Sequence, residues 1–211
     1  MLKIWGRATS SNVQKVTWLA EEIGLPYERI DIGGPFGGNQ EPAYRAMNPN
    51  GLVPTIQDGD FTLWESNSIC RYLANRHSAH AWYPTEFRAR ADVERWMDWS
   101  TSMLGPAAFD GFWGLIRTPQ ADRKPAAISA SGERTDKALG VLDALLANRP
   151  WIAGDHPTLA EITLGIHTYR WRNLPWAQAG HTPAALPNVV RWYEQLAARP
   201  AYRKIVMIPI V

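Results

Sequence analysis

Cysteine is nearly absent from this sequence of 211 residues, which contains only Cys70. A single thiol excludes an internal disulfide and any cysteine-rich metal site. It also excludes a redox centre of the Cys-x-x-Cys or single-cysteine type at the end of the first predicted strand, because no cysteine stands there. Few cysteines are typical of proteins from a reducing compartment. Cys70 lies in a helical pattern beside Ile69 and Leu73, and we interpret it as a buried core residue.

An excess of one charge and long apolar runs are also missing. The chain has 22 Lys and Arg against 20 Asp and Glu, a formal net charge of +2, and neither sign forms a long block. No apolar run approaches the length of a membrane span. The N-terminal segment lacks the charged, apolar and small-residue regions of a signal peptide. We therefore expect a cytoplasmic protein with no nucleic-acid, membrane or metal partner.

Hydrophobic residues, by contrast, make up 45% of the chain and include eleven tryptophans. This balance is that of a globular protein, and the tryptophans can fill a core or line an apolar pocket. The apolar periodicity changes near residues 78–87. Before them it predicts an α/β domain over residues 1–80, and after them an all-helical domain over residues 88–211. The predicted strands are 2–5, 27–32, 53–56 and 61–64, and the longer predicted helices are 13–23, 66–77, 88–115, 131–146, 159–171 and 189–198.

Three segments of the α/β domain carry polar residues or prolines where strands meet helices or turns. Loop 7–12, between the first strand and the first helix, contains three hydroxyl side chains. In segment 48–56, Pro54 stands at the start of a predicted strand, where a residue without an N–H belongs at an edge or a special turn. Ser66 begins a helix, where a serine is a natural N-cap and where free N–H groups also form an anion site. Glu65 beside it can pair with an ammonium group.

The order of elements, the Val53-Pro54 pair and the run Glu65-Ser66 followed by Ile-x-Arg-Tyr-Leu resemble the cytosolic glutathione transferases. The resemblance is greatest to bacterial serine-type members, theta- or delta-like, and it covers essentially the whole chain. It implies a thioredoxin-like domain followed by an all-helical domain. It also implies a homodimeric detoxification enzyme that joins glutathione, its co-substrate, to small hydrophobic electrophiles without a metal. A non-catalytic binding or regulatory protein, and a glutathione-dependent peroxidase or isomerase, stay open as alternatives on the same fold.

The resemblance also implies a binding site for glutathione. The Val53–Pro54 bond would be cis, and Val53 would pair with the cysteinyl backbone of glutathione. Glu65 would hold the γ-glutamyl ammonium and Ser66 the γ-glutamyl carboxylate. The glycyl carboxylate would meet Asn39, an uncharged amide where a histidine is more usual in the family. The full predicted set is Asn39, Gln40, Leu52, Val53, Pro54, Glu65, Ser66 and Asn67.

A thiol-activating hydroxyl is implied in the loop after the first strand. Lowering a thiol pKa of about 8.5 by two units takes about 2.7 kcal/mol, which a charge-assisted hydrogen bond of about 1.5–3 kcal/mol can supply. We predict Ser10 in this role, with Ser11, Thr9 and Asn12 as alternatives. Ser11 has a second possible role, because with Gln14 three residues later it would form a capping box for the first helix.

The helical domain is expected to supply the electrophile site. Many of its aromatic residues lie in the predicted helix 88–115 and in the turn after it. We select Met103, Phe112 and Trp113 as candidates because they lie late in that helix.

Other polar residues of the helical domain are interpreted as structural. Thr158 and Glu161 match the Ser/Thr-x-x-Glu signature of a capping box and predict the start of a buried helix. His167 and His181 have no partners at the spacing of a metal site or a catalytic triad.

Overall fold

The strands of the protein form one mixed sheet in the computed structural model, which describes residues 1–211. They are β1 (Leu2–Trp5), β2 (Tyr27–Ile30), β3 (Thr55–Asp58) and β4 (Phe61–Trp64), in the spatial order β2-β1-β3-β4. β1 runs parallel to β2 and antiparallel to β3, and β3 and β4 form a hairpin. The two central strands, β1 and β3, meet at a fully buried pair formed by Ile4 and Ile56.

Three helices complete the sheet domain: α1 (Ser11–Glu22), α2 (Pro42–Met47) and α3 (Ser66–Arg76). Parallel neighbours such as β1 and β2 need a crossover connection, and α1 provides it. α1 also packs against α3. The N-termini of α1 and α3 therefore lie beside the ends of β1 and β4, respectively.

The helical domain begins with a nearly continuous rod over residues 87–117. Short π-helical turns follow its first two helices, at Ser100–Leu104 and Trp113–Arg117. No helix of the protein is long and apolar enough to cross a membrane. The helices of this domain are α4 (Phe87–Trp99), α5 (Gly105–Phe112), α6 (Pro125–Leu146), α7 (Leu159–Asn173), α8 (Pro187–Ala197) and α9 (Pro200–Ile205).

The two domains share one core because α1 packs against α7 and α9. A glycine, Gly165, allows this close approach. A Cβ atom at this position of α7 would lie 2.8 Å from the Leu196 side chain and 3.2 Å from the Trp18 ring. The Trp18 ring meets Tyr202 edge to face, with centroids 4.8 Å apart. The cluster of buried residues runs from β1 to α9 without a break.

The predicted order of an α/β domain and then an all-helical domain is confirmed. β1 and β4 have their predicted bounds, and α3 ends one residue before its predicted end. β3 begins at Thr55, two residues later than predicted, because Pro54 has no N–H to add to the ladder. α6 begins at Pro125 rather than at residue 131, since proline fits the first turn of a helix. The short helices α2 and α9 were not predicted.

The two predicted capping boxes have opposite outcomes. At the start of α7, the Ala160 N–H donates to Thr158 Oγ1 (3.2 Å) and the Thr158 N–H donates to Glu161 Oε2 (2.7 Å), as predicted. At α1 the prediction is wrong. Ser11 is already helical, and the Gln14 amide donates instead to the Ile205 carbonyl, 3.0 Å away, which ties α1 to the end of α9.

Candidate functional site

A cavity of about 360 Å³ lies between the sheet domain and the helical domain. Residues of α1 and α3 form one wall, and residues of the rod and α7 form the other. The sheet-domain wall consists of Ser11, Asn12, Lys15, Glu65, Ser66 and Asn67. The helical-domain wall includes Ser100, Thr101, Gly105, Pro106, Phe109, Phe112, Trp113, His167, Arg170, Trp171 and Trp176.

A glycine turns the chain from β1 into loop 7–12. Gly6 has φ +151°, and a Cβ atom there would overlap the Val13 side chain and lie 3.1 Å from Val53 Cβ. The loop therefore lies directly against Val53. The Val53–Pro54 bond is cis, as predicted. The Val53 N–H and carbonyl make no hydrogen bond within the protein, so both can pair with an extended peptide.

The predicted thiol-activating residues lie at the start of α1. Ser10 occupies the N-cap position with an extended backbone, and its side chain makes no capping hydrogen bond. It is 9% exposed and adjoins the cavity without lining it, whereas Ser11 and Asn12 line it. The free N–H groups of the first helical turn place partial positive charge beside all three side chains.

Glu65 and Ser66 lie at the start of α3 on the same cavity wall. Glu65 holds the N-cap position with φ +72°, in the left-handed region that non-glycine residues seldom adopt. The expectation that Ser66 is the N-cap is therefore wrong, since Ser66 is the first helical residue. Its hydroxyl donates to Asn12 Oδ1 at 3.3 Å, which links the N-termini of α3 and α1. Two helix N-termini thus face one cavity, an arrangement that suits anions.

Asn67 connects this wall to the helical domain. Its side-chain amide donates to the Met97 carbonyl at 3.1 Å and to Thr101 Oγ1 at 3.2 Å. Asn67 also lines the cavity. Asn67 therefore forms part of the sheet-domain wall and also connects that wall to the rod of the helical domain.

The remaining predicted glutathione-binding residues lie outside the cavity lining. Asn39 and Gln40 both donate their side-chain amides to the Gly51 carbonyl, at 2.6 and 3.1 Å. The Leu52 carbonyl accepts hydrogen bonds from the Tyr44 hydroxyl (2.6 Å) and from another side chain, and the Leu52 side chain is 65% exposed. These bonds shape the segment that leads into Val53.

The aromatic wall contains two of the three predicted electrophile-site residues. Phe112 and Trp113 line the cavity, and Phe109 stacks on Trp113 with ring centroids 5.6 Å apart. The expectation for Met103 is wrong. It lies on the outer face of the π-helical turn, is 56% exposed, and borders a separate groove that also contains Val141. In a regular α-helix Met103 would share a face with Ser100, three residues earlier. The π-helical turn instead directs Ser100 and Thr101 toward the cavity and Met103 away from it.

Lys15, which is buried, and His167, which is half-buried, form a polar part of the cavity lining that was not predicted from the sequence. Lys15 is 5% exposed and makes neither an ion pair nor a hydrogen bond. Burial lowers the pKa of Lys15 to about 8. Burial lowers the pKa of His167 to about 3, so this imidazole is neutral. His167 lines the cavity, whereas His181 is buried against the Trp176 ring.

Arg170 of α7 is the second unpredicted cation of the cavity. Its guanidinium lies 4.1 Å from the centre of the Phe112 ring and donates to the Thr9 carbonyl at 3.3 Å. Burial is the main cause that lowers the pKa of Arg170 to about 10. No local sequence pattern marks Lys15 or Arg170, because the two residues come together only when α1 and α7 pack against each other. No three His, Cys, Asp or Glu side chains lie close enough together to hold a metal ion.

Comparisons with known proteins agree with this geometry. Residues 9–76 match the model of the glutathione S-transferase N-terminal domain, and residues 125–195 match that of the C-terminal domain. Glutathione S-transferase GstB of Escherichia coli is 43% identical, over 100% of both chains. Glutathione S-transferase 3 of Zea mays is 32% identical over 97% of this chain and 93% of its own.

A solved structure gives the same result for the fold. The theta class glutathione S-transferase from Xanthomonas axonopodis pv. citri, solved with glutathione bound, has a TM-score of 0.94 to this chain. It is 45% identical, and the match covers 100% of this chain and 99% of that one. With a mixed four-stranded sheet, an all-helical second domain and a cavity between them, the chain belongs to the glutathione S-transferase family.

Proposed function

We propose that the protein is a glutathione transferase that ionises the thiol of bound glutathione and joins it to a small hydrophobic electrophile. One observation carries the proposal: a single cavity has two helix N-termini on one wall and a row of aromatic side chains on the other. The first wall suits the charged peptide glutathione. The second suits an apolar co-substrate. Holding both reactants side by side is itself a large part of catalysis.

Glutathione would bind as an extended strand beside Val53. The unpaired N–H and carbonyl of Val53 match the two backbone groups of the cysteinyl residue. Ser66 and the free N–H groups of α3 would receive the γ-glutamyl carboxylate, and Glu65 would pair with the ammonium. The amides of Asn39 and Gln40 hold the Gly51 carbonyl, and their remaining N–H groups are available to the glycyl end. Leu52, Pro54 and Asn67 would support these contacts.

Ser10 is the proposed thiol-activating residue. Its hydroxyl makes no capping hydrogen bond to α1, although it holds the position where a serine normally caps. It can therefore donate to the sulfur, and the N-terminus of α1 favours the negative thiolate. The thiol proton leaves to solvent. Ser11, Asn12 and Thr9 are the alternatives on the same loop.

The electrophile would lie against Phe112, Trp113 and Phe109. Stacked and exposed rings of this kind offer a flat apolar surface to an aromatic co-substrate. The thiolate would attack the electrophilic carbon from the Ser10 side. Detoxification of reactive hydrophobic compounds is the cellular role we propose.

We also propose the domain bounds 1–80 and 88–211, a homodimer and a cytoplasmic location. The connection between α3 and α4 contains no regular element, which supports a boundary there. Exposed apolar side chains at β4, including Trp64 and Phe61, support association of two copies. The single, buried Cys70 supports a reducing compartment.

Ultraviolet difference absorbance of bound glutathione thiolate, followed against pH, tests the proposal. We expect the wild-type protein to hold the thiol pKa about two units below the free value of about 8.5. Ser10→Ala should raise that pKa by at least one unit, because the thiolate loses a charge-assisted hydrogen bond of about 1.5–3 kcal/mol. Glutathione affinity should change little, since the peptide contacts remain.

Ser11→Ala is the matched comparison. It removes the neighbouring hydroxyl, and we expect it to leave the thiol pKa near the wild-type value. If the thiol pKa returns to its free value in Ser11→Ala but stays low in Ser10→Ala, the catalytic role belongs to Ser11. The absence of bound thiolate in the wild-type protein, together with no turnover of a generic electrophile, would mean that the protein is a non-catalytic member of the family.

A further inference from the structure

Two arginines from separate parts of the chain lie over one ring of the aromatic wall, and a third lies in the loop after β1. Arg7 belongs to the loop after β1, Arg117 ends the second π-helical turn, and Arg170 lies on α7. We call these three the arginine cluster. The guanidinium carbons of Arg170 and Arg117 lie 4.1 and 5.9 Å from the centre of the Phe112 ring. Two cations therefore flank a ring that lines the cavity.

The cluster adjoins the proposed thiol site. Arg170 donates to the Thr9 carbonyl, one residue before Ser10, at 3.3 Å. Arg7 packs against the backbone of Gly34, where an added Cβ atom would lie 3.0 Å from Arg7 Nε. The cluster thus extends from the loop of the sheet domain to the aromatic wall of the helical domain.

None of the three arginines has a carboxylate partner. They take part in none of the seven ion pairs of the protein. Arg7 Nε is buried and has no hydrogen-bond acceptor. Burial lowers the pKa of Arg7, and the charge of Arg117 lowers it further. Burial likewise lowers the pKa of Arg170, and the charges of Arg117 and Arg7 add to the effect.

Such an arrangement costs free energy unless something compensates it. Guanidinium groups have up to five N–H donors and no acceptor, so they cannot satisfy one another. Like charges held close together and partly desolvated destabilise the folded state. A bound anion with two oxygens in a plane would satisfy the donors and cancel the repulsion.

Resting on the transferase function proposed above, we propose that the arginine cluster binds a carboxylate group of the electrophile. The preferred co-substrates would then be apolar, mainly aromatic electrophiles that carry one negative charge. The ring would lie on Phe112 and Trp113, and the carboxylate would point to Arg117 and Arg170. The γ-glutamyl carboxylate is assigned elsewhere, because Ser66 and the start of α3 lie on the opposite wall. The glycyl carboxylate is assigned to Asn39 and Gln40, close to Arg7, so the electrophile is left to Arg117 and Arg170.

A suitable test reaction is aromatic substitution on 4-chloro-3-nitrobenzoate. The glutathione thiolate forms a C–S bond with the ring carbon that carries chlorine. The C–Cl bond breaks, and chloride leaves with the bonding electron pair. The methyl ester of the same acid reacts in the same way but carries no charge, so the pair isolates the contribution of the carboxylate.

The experiment compares kcat/KM for the acid and for the ester, each divided by its uncatalysed rate with glutathione. We expect the wild-type protein to favour the acid by at least 10-fold, and Arg117→Gln to reduce that ratio by about 10- to 100-fold, as the loss of a charge-assisted hydrogen bond predicts. Arg117→Lys should recover part of the preference because the charge returns without the planar fork. Arg172→Gln is the matched control, because the Arg172 guanidinium lies over the ring of Tyr193, which does not line the cavity, whereas Arg117 lies over Phe112, which does. It should leave the ratio unchanged.

Several results would overturn the inference. A wild-type protein that conjugates the ester as well as the acid would leave the transferase proposal intact and remove the carboxylate site. Equal losses for both compounds in Arg117→Gln would mean that the cluster acts on the thiolate and not on the electrophile. If neither compound is conjugated and the protein also forms no bound thiolate and turns over no generic electrophile, the transferase proposal fails. The anion site can then be tested separately by measuring the affinity of each compound through tryptophan fluorescence. The acid should still bind the wild-type protein at least 10-fold more tightly than the ester. Arg117→Gln should remove this difference in affinity.

Discussion

Lys15 is a buried, charged residue of the cavity, whereas the core around it is mostly apolar. It lies on the buried face of α1 between Val13 and Val16, and no acceptor within the protein receives a hydrogen bond from its ammonium. Burial lowers the pKa of Lys15 to about 8, with Arg170 adding to the effect and Glu65 opposing it. A cation in this position stabilises a ligand anion and destabilises the empty protein.

The Lys15 pKa sets a pH dependence of folding. The pKa is lower in the folded protein than its ordinary value near 10.4, so the unfolded chain binds more protons between about pH 8 and 10.5. The free energy of unfolding contributed by Lys15 therefore rises with pH across that window. Below pH 8 the full cost of roughly 3 kcal/mol remains. Lys15→Met should be more stable than the wild-type protein at pH 7, and the difference should shrink by pH 10.

Urea unfolding of both proteins at several pH values measures this difference. Lys3→Met is the control, because Lys3 is an exposed residue of β1 and its loss should give a difference that does not change with pH. A pH-independent difference for Lys15→Met would contradict the prediction. In that case Lys15 would have the pKa of an exposed lysine.

At the scale of helices and strands, apolar periodicity predicted the elements that bury a face. It found β1, β4 and α3, whose apolar residues recur at the period of their structure. It missed α2, where only Tyr44 is buried and the rest of the helix carries no periodic signal. The Gln14 and Ser66 side chains were misassigned for a related reason. Their partners, the Ile205 carbonyl and Asn12, are distant in sequence, and no local pattern reveals them.

The residues of the candidate site also fall into two groups, those that depend on local sequence and those that depend on the packing of distant helices. The cis Val53–Pro54 bond and the position of Glu65 at the start of α3 could be predicted, because each depends on a local run of residues. Lys15, His167 and Arg170 could not, since they acquire their role only when α1 and α7 pack together. The direction of Met103 was also beyond the sequence, because a π-helical turn changes which residues of the rod face the cavity.

α5 packs closely on α6, and Gly111 of α5 makes this close contact possible. The Gly111 N–H donates to Ser131 Oγ at 2.9 Å, and a Cβ atom at Gly111 would overlap the Trp176 ring, which lines the cavity. Gly111→Ala should therefore lower the free energy of unfolding by about 1–3 kcal/mol through overpacking. It should also reduce turnover, because Trp176 is displaced.

Gly140→Ala in α6 is the matched control for this change. Nothing lies within 4 Å of a Cβ atom added there, so the substitution should raise stability by about 0.5–1 kcal/mol through helix propensity alone. Chemical denaturation followed by circular dichroism measures both. Equal effects of the two substitutions would mean that α5 and α6 can separate without cost.

At the scale of the whole molecule, the cavity exists only while the two domains hold a fixed relation. Arg199, at the start of α9, makes two hydrogen bonds of 2.7 Å to the Glu22 carboxylate of α1. The Glu22 side chain is 8% exposed and also accepts from the Trp18 indole at 2.8 Å. The hydrogen bond to Glu22 is the main cause that raises the pKa of Arg199. This pair reinforces the shared core at the domain junction.

Glu22→Gln should therefore destabilise the whole protein and not one domain. We expect a loss of about 2 kcal/mol, because partly buried charge-assisted hydrogen bonds are removed and Arg199 is left without its partner. Lys204→Gln breaks the more exposed Lys204–Glu21 pair of the same junction and should cost less than about 1 kcal/mol. Tryptophan fluorescence and far-ultraviolet circular dichroism should give coincident unfolding transitions in both variants, since one core joins the domains. Separate transitions in Glu22→Gln would show that the sheet domain and the helical domain unfold independently, and the cavity could then open by separation of the domains.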